Sequence, residues 1–357
     1  MTKIALYKIQ DWLFREAEGN FDIDLAESGV QYRCLNDLVT SENYPLNYSL
    51  DRGDEELRSI LAALYNVKLE QIMVTHGSQE ALYLFYRSYL KAGDHVITFK
   101  PGWQQSWEVP LNIGATVTSI QLGAEDNYCL SIESVKEAIT DKTRLLILNY
   151  PNNPTGVSLD KLTLINLISL CEKHGIRIIN DEEYLTDYQN STVNFCSKSS
   201  IVSSLSKIYG FPGLRVGWFI GPKEIVEGLV NYRRYTTVSN SYLCEKFACQ
   251  ILRNKNKYID SYHDISQKGL SELKRWIQKY PSLNLREPEG TPFAYITFPL
   301  SIDTNKFSKD LLMKQKVLVM PAEVFEDKNA IRLSFGRSVD ILQIGFKRID
   351  QVLEKIL

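Results

Sequence analysis

The chain has 357 residues, 44% of them apolar, and a formal net charge of −2 at neutral pH. That apolar content supports one large globular unit or two domains sharing an interface. Balanced charge, with no long run of either sign, argues against nucleic acid and against an anionic membrane surface, since both call for a basic patch.

The first forty or so residues read as irregular, with one short helix over 9–18. A helix opens at Asp54, where acidic residues precede Leu57, Ile60, Leu61 and Leu64 at helical spacing. Strands and helices then alternate: strands over 72–75, 95–99, 144–150, 177–180, 201–206 and 216–221, with helices over 78–90, 131–140 and 159–174 among them. Continuous apolar strands separated by helices predict a mostly parallel sheet buried on both faces, an α/β layered domain. A helical tract from 223 to about 280 breaks this rhythm and is expected to carry the chain out of the main domain. Strands over 293–298, 317–320 and 331–334 and a closing helix over 338–357 suggest a smaller α+β domain. The expected division is an arm and part of the small domain in 1–40, a large domain in 41–235, and an interdomain helix with the small C-terminal domain in 236–357.

The six cysteines (Cys34, Cys129, Cys171, Cys196, Cys244, Cys249) are scattered and form no Cys-x-x-Cys pair. The four histidines (His76, His95, His174, His263) are too dispersed for the usual zinc spacings, so no metal is expected. The N-terminal stretch lacks a signal peptide's apolar core, and no segment approaches membrane-spanning length. A soluble, reduced, cytoplasmic protein is the expectation.

In open parallel sheets, ligands bind in the crevice beyond the carboxyl ends of the strands. Gly77, Asn153, Asp181 and Lys207 each fall just past a predicted strand. Thr75-His76-Gly77-Ser78-Gln79-Glu80 takes a strand end straight into a helix start, which is either an ordinary capped helix or an anion cradle. Asn149-Tyr150-Pro151-Asn152-Asn153-Pro154 is either a plain turn or a rigid loop that fixes the Asn153 amide. Asp181-Glu182-Glu183-Tyr184 reads as a solvated acidic turn for Glu182 and Glu183. Asp181, ending a buried strand, needs a cation or donor to meet it. Ser204-Leu205-Ser206-Lys207 places an amine among small hydroxyls, with Arg215 eight positions on. Two surface cations flanking a loop would read the same way. So would a lysine holding an aldehyde cofactor as a Schiff base beside a phosphate site.

Together these motifs resemble the class I/II aminotransferase family of pyridoxal-phosphate enzymes, of the type I fold, over nearly the whole chain. The resemblance implies that Lys207 bonds to pyridoxal 5′-phosphate and then shuttles the substrate's Cα proton. Asp181 would pair with the pyridine nitrogen, and Tyr184 and Asn153 would contact the phenolic oxygen. Gly77, Ser78, Gln79, Ser204 and Arg215 would hold the phosphate. Trp103 stands where the family usually has a tyrosine or phenylalanine against the ring. Tyr48 matches a tyrosine that reaches the neighbouring subunit's phosphate, which implies a homodimer with composite sites. Arg332 matches the arginine that forks onto the substrate α-carboxylate, a task suited to guanidinium geometry.

Two passages, Asp11-Trp12-Leu13-Phe14-Arg15-Glu16 through Ser28-Gly29-Val30, and Thr75 through Leu84, resemble the capreomycidine synthase subfamily. Its members eliminate water from a hydroxylated arginine and close a guanidino ring. In that reading the arm lids the site, and acids such as Glu16 or Glu27 meet the guanidinium. The arm histidine expected after Gly29-Val30 is Gln31 here, which cannot titrate near neutrality as imidazole does. The readings are therefore a transaminase acting on an L-amino acid, a hydroxyarginine cyclase, or a non-catalytic binding protein that kept the fold.

Overall fold

The computed structural model describes residues 4–38, 44 and 46–356, so the expected domain boundary after residue 40 lies outside the described residues. The chain opens with helix α1 (Lys8–Asp11), continued by a wider π-type turn over Trp12–Ala17 rather than the single helix expected over 9–18. Strand β1 (Ile23–Asp24) follows. Helix α2 (Glu55–Tyr65) begins where the Asp54 side chain accepts from the Leu57 amide at 3.1 Å, and it ends at Asn66 in the left-handed region.

The alternation predicted from 72 onward is present: β2 (Ile72–Thr75), α3 (Ser78–Tyr89), β3 (His95–Lys100), α4 (Gln105–Ile113), β4 (Thr116–Gln121), α5 (Ile132–Ala138), β5 (Thr143–Asn149), α6 (Lys161–Lys173), β6 (Arg177–Asp181), β7 (Ser200–Ser204) and β8 (Gly217–Ile220). These strands form one seven-stranded sheet in the order β2-β8-β7-β6-β5-β3-β4. The pairs among β3 to β7 are parallel, and β8 runs antiparallel to both neighbours. Alternate side chains go to opposite faces. Ile72, Val74, Ile201, Trp218 and Ile220 pack with Leu57 and Leu61 of α2, while Met73, Val202 and Phe219 pack with Phe85 of α3. Each face thus has its own core.

Helix α4 and strand β4 had no clear sequence signal. β4 is an edge strand whose residues are half-buried or exposed, so it lacks the continuous apolar run of its neighbours, and α4 carries Pro110 inside it.

The tract from 223 resolves into α7 (Lys223–Arg233), α8 (Tyr242–Arg253) and α9 (Lys255–Ile277). Val226 and Leu229 keep α7 on the main sheet. α9, at 23 residues and about 35 Å, carries the chain away. Beyond it come β9 (Asn284–Arg286), β10 (Phe293–Thr297), α10 (Thr304–Gln315), β11 (Val317–Leu318), β12 (Met320–Pro321), β13 (Ala330–Ser334) and α11 (Val339–Leu353). β12-β13-β10-β9 form an antiparallel sheet, and β1 of the arm pairs in parallel with β11. Ile23 and Leu25 share a core with Leu273, Trp276 and Phe346, which fixes the arm to the C-terminal unit. Among the described residues no helix is long and apolar enough to cross a membrane.

The joint between α9 and the segment leading to α11 is close. A Cβ on Gly269 would fall 2.0 Å from the Phe335 carbonyl oxygen and 3.3 Å from Leu342 Cδ1. Backbone cannot yield as a flexible side chain can, so Gly269→Ala is expected to destabilise by about 1–3 kcal/mol. A urea-unfolding midpoint equal to that of the unsubstituted chain would contradict this packing.

Candidate active site

The carboxyl ends of β5, β6 and β7 and the start of α3 open on one cavity of about 490 Å³. One corner of it is built from backbone at the start of α3. Gly77, at φ 77°, turns β2 into α3, and the helix start has no side-chain cap. Uncapped first-turn amides at the positive end of a helix dipole attract anions. Arg215 lies across this turn, its Nη1 donating to the Pro212 carbonyl at 3.0 Å and its Nη2 to the His76 carbonyl at 3.4 Å. Two glycines permit the approach: a Cβ on Gly77 would meet Arg215 Nη2 at 2.4 Å, and a Cβ on Gly217 would meet Ser78 N at 2.5 Å.

Asp181 ends β6 almost fully buried and accepts from the Glu183 amide at 3.3 Å. Burial, and then the Glu183 charge, push its carboxyl well above the usual range. An arriving cation would relieve that cost. Asn149 ties the strands together here, donating to the Asp181 carbonyl at 3.2 Å and accepting from the Asn153 amide at 3.0 Å. Asn153 Oδ1 in turn accepts from the buried Arg332 guanidinium, which lies 5.1 Å from the ring centres of both Phe293 and Phe325. Tyr184 is buried edge-on against Phe293.

Lys207 points into the cavity, and its Nζ donates to Glu27 Oε1 at 2.8 Å. Trp103 forms another wall, with Tyr7 edge-on to it. The Tyr7 hydroxyl is buried without a hydrogen-bond partner among the described residues.

Of the residues singled out from sequence, Glu27, Ser78, Gln79, Trp103, Asn153, Asp181, Tyr184, Lys207 and Arg215 line this cavity. Gly77 and Arg332 stand directly behind its wall through the contacts above, and Ser204 through its bond to the lining residue Glu183. Three others are elsewhere. Tyr48 is 85% exposed, Gln31 is exposed with its amide on the Gly336 carbonyl, and Glu16 faces a separate hollow beside Lys8 and Lys309. The arm turns Gln10, Leu13 and Phe14 toward the cavity, which leaves Glu16 on the other side.

Glu182 and Glu183 are not a solvated turn: both are buried. Glu182 accepts from Ser191 Oγ at 2.7 Å and the Thr192 amide at 2.8 Å, and burial outweighs these bonds, pushing its acid up to about 7. Glu183 lines the cavity and accepts from Ser204 Oγ at 2.8 Å. Sequence reasoning missed Glu183 because consecutive acids after a strand look like a surface turn.

Because the bare Cα of Gly217 lets β8 lie against the start of α3, Gly217→Ala is expected to displace the Ser78 amide and weaken binding of a phosphate-bearing ligand roughly tenfold or more. Equal affinity of the two proteins in a calorimetric titration would show that this corner does not bind the phosphate.

Three comparisons place the chain among known proteins. Residues 33–349 match the family Aminotransferase class I and II. The chain is 27% identical to capreomycidine synthase of Streptomyces vinaceus, over 97% of this chain and 93% of that protein. It is 28% identical to aspartate aminotransferase of Thermotoga maritima, over 86% and 84% respectively. Its structure superimposes on a PLP-dependent aminotransferase from Streptococcus suis with a TM-score of 0.94 at 26% identity, covering 100% of this chain and 99% of that one. The layered sheet, the cavity at its carboxyl edge and these matches lead to one conclusion: the chain belongs to the class I and II aminotransferase family of pyridoxal-phosphate-dependent enzymes.

Proposed function

We propose that the protein binds pyridoxal 5′-phosphate in the cavity beside Lys207, takes an L-amino acid as substrate, removes its Cα proton and completes a transamination. The observation that carries this is the meeting of an amine, a buried carboxyl and an uncapped helix start in one hollow. The fit is chemical as well as spatial. The bare Cα of Gly77 lets the Arg215 guanidinium lie against the helix start, where a Cβ would strike it, and Asp181 is a buried acid that gains from a cationic ring nitrogen.

Ser78, Gln79, Ser204 and Arg215 would hold the phosphate, with Gly77 giving it access. Asn153 and Tyr184 would offer donors to the phenolic oxygen, and Trp103 would press on the ring face. Pyridoxal phosphate, when bound, supplies an electron sink for the substrate's Cα. Lys207 serves as the base that takes the Cα proton and the acid that returns it. Arg332, aligned by Asn153 and the Phe293 and Phe325 rings, orients the substrate carboxylate. Tyr48, exposed on the segment preceding α2, would complete the phosphate site of a second copy in a homodimer. All six cysteines are free, which suits a reducing cytoplasm.

A second reading, cyclisation of a hydroxylated arginine with loss of water, is favoured by Glu27 and Glu183. These carboxylates line the cavity beside Asp181 and would suit a guanidinium side chain. The similarity to capreomycidine synthase points the same way. Of the two arm acids named for that role, Glu27 lines the cavity and Glu16 faces another hollow.

Borohydride treatment of the loaded protein should fix the cofactor's mass on Lys207, and Lys207→Ala should abolish that adduct; an adduct on another residue would overturn the assignment. Asp181→Ala should slow exchange of the substrate Cα proton with deuterium roughly 100-fold or more while the fold survives. Incubation with arginine, hydroxyarginines and common amino acids, with and without keto acids, separates the two outcomes by product mass. Amine exchange that needs an acceptor supports transamination, and loss of water without an acceptor supports cyclisation.

A further inference from the structure

The N-terminal arm does more than cover the cavity, because it puts a carboxylate on the reactive amine. Glu27 Oε1 takes two donors, Lys207 Nζ at 2.8 Å and the Gly29 amide at 3.0 Å. No other carboxylate oxygen lies within 4.0 Å of this nitrogen among the described residues. The platform is rigid. Arg337 donates to the Asp24 carbonyl at 3.1 Å and the Gly29 carbonyl at 2.8 Å, and Arg332 donates to the Ala26 carbonyl. Gly29 sets the closeness: a Cβ there would stand 3.3 Å from both Lys207 Cα and the Ser206 carbonyl oxygen.

We propose that Glu27 is a positioning residue for Lys207: its carboxylate fixes Nζ from the arm side and stabilises positive charge on that nitrogen whenever it is protonated. The inference rests on the reading of Lys207 as the cofactor-binding lysine. When Nζ takes the proton that leaves the substrate's Cα, the electron pair of the broken C–H bond stays on the substrate. The new ammonium is then held against Glu27 until the proton is returned. Glu27 itself never needs to accept the proton. Burial alone would raise its acid, but the Lys207 charge and hydrogen bond, the Gly29 amide and Arg332 bring it down to about 2, so it remains an anion at neutral pH.

The other charged or titratable groups around Lys207 have separate partners or tasks. Asp181 ends β6, Glu183 accepts from Ser204, Tyr184 packs on Phe293, Arg215 lies across the Gly77 turn, and Arg332 is bonded to Asn153 and Ala26. That leaves Glu27 as the carboxylate in hydrogen-bond contact with Nζ among the described residues.

The test reads the visible absorbance of the pyridoxal-phosphate-loaded protein against pH. An anion in direct contact favours the cationic form of the nitrogen that carries the cofactor. Glu27→Gln keeps the size and the acceptor for the Gly29 amide but removes the charge, and it should lower the absorbance midpoint by about 1 pH unit or more. The acid limb of the Cα deuterium-exchange profile should move the same way. Glu27→Asp draws the carboxylate back by one methylene and should shift the midpoint in the same direction by less, which tests the claim even if the glutamine variant does not fold. An unmoved midpoint in the variants, with a borohydride-stable adduct still on Lys207, would overturn the role of Glu27 and leave the cofactor assignment standing. Absence of any such adduct in the unsubstituted protein would overturn both.

Discussion

A sheet covered on both faces leaves charged side chains little room except at its edge, and the organisation of this protein follows from that constraint. Ile201 and Val202, or Trp218 and Phe219, point to opposite cores, so no strand interior tolerates an unpaired ion. The parallel strands β5, β6 and β7 end together, and Asp181, Asn153 and Lys207 come after their last apolar residues. The cavity is where the buried runs of these strands stop and the chain begins to need polar partners.

Acidic groups outnumber basic ones along the walls of that cavity. Asp181, Glu183 and Glu27 line it, while Lys207 and Arg215 are the cations along the same walls. Burial raises the Asp181 acid, whereas the Lys207 contact brings the Glu27 acid down. Two carboxyls in one pocket are thus held in opposite conditions by their neighbours, the pattern expected where a site must stabilise charge that arrives with a ligand. Close backbone packing supports this: the bare Cα of Gly217 lets β8 touch the start of α3, and that of Gly29 lets the arm touch Lys207.

The arm links the two parts of the molecule. β1 pairs with β11, Ile23 and Leu25 enter the core of the C-terminal unit, and Glu27 reaches the amine above the main sheet. A change in the arm would therefore be felt at both of its ends, in the C-terminal core and at Lys207.

Much of this was legible beforehand, for identifiable reasons. Buried strands such as Leu145–Leu148 and Ile201–Val202 declare themselves as unbroken apolar runs, and the turn at Gly77 as a strand running straight into a helix. Edge strand β4 and Pro-containing α4 stayed hidden, because half-buried residues carry no period strong enough to stand out. Local sequence determined which elements form and which polar residues sit at their ends, since propensity, capping and apolar period act over a few residues. Only the tertiary structure decided that Glu183 is buried, that Glu16 turns away and that Glu27 meets Lys207 across 180 positions of chain. Burial and long-range ion pairing depend on what packs against a residue, and that is a property of the whole fold rather than of any window within it.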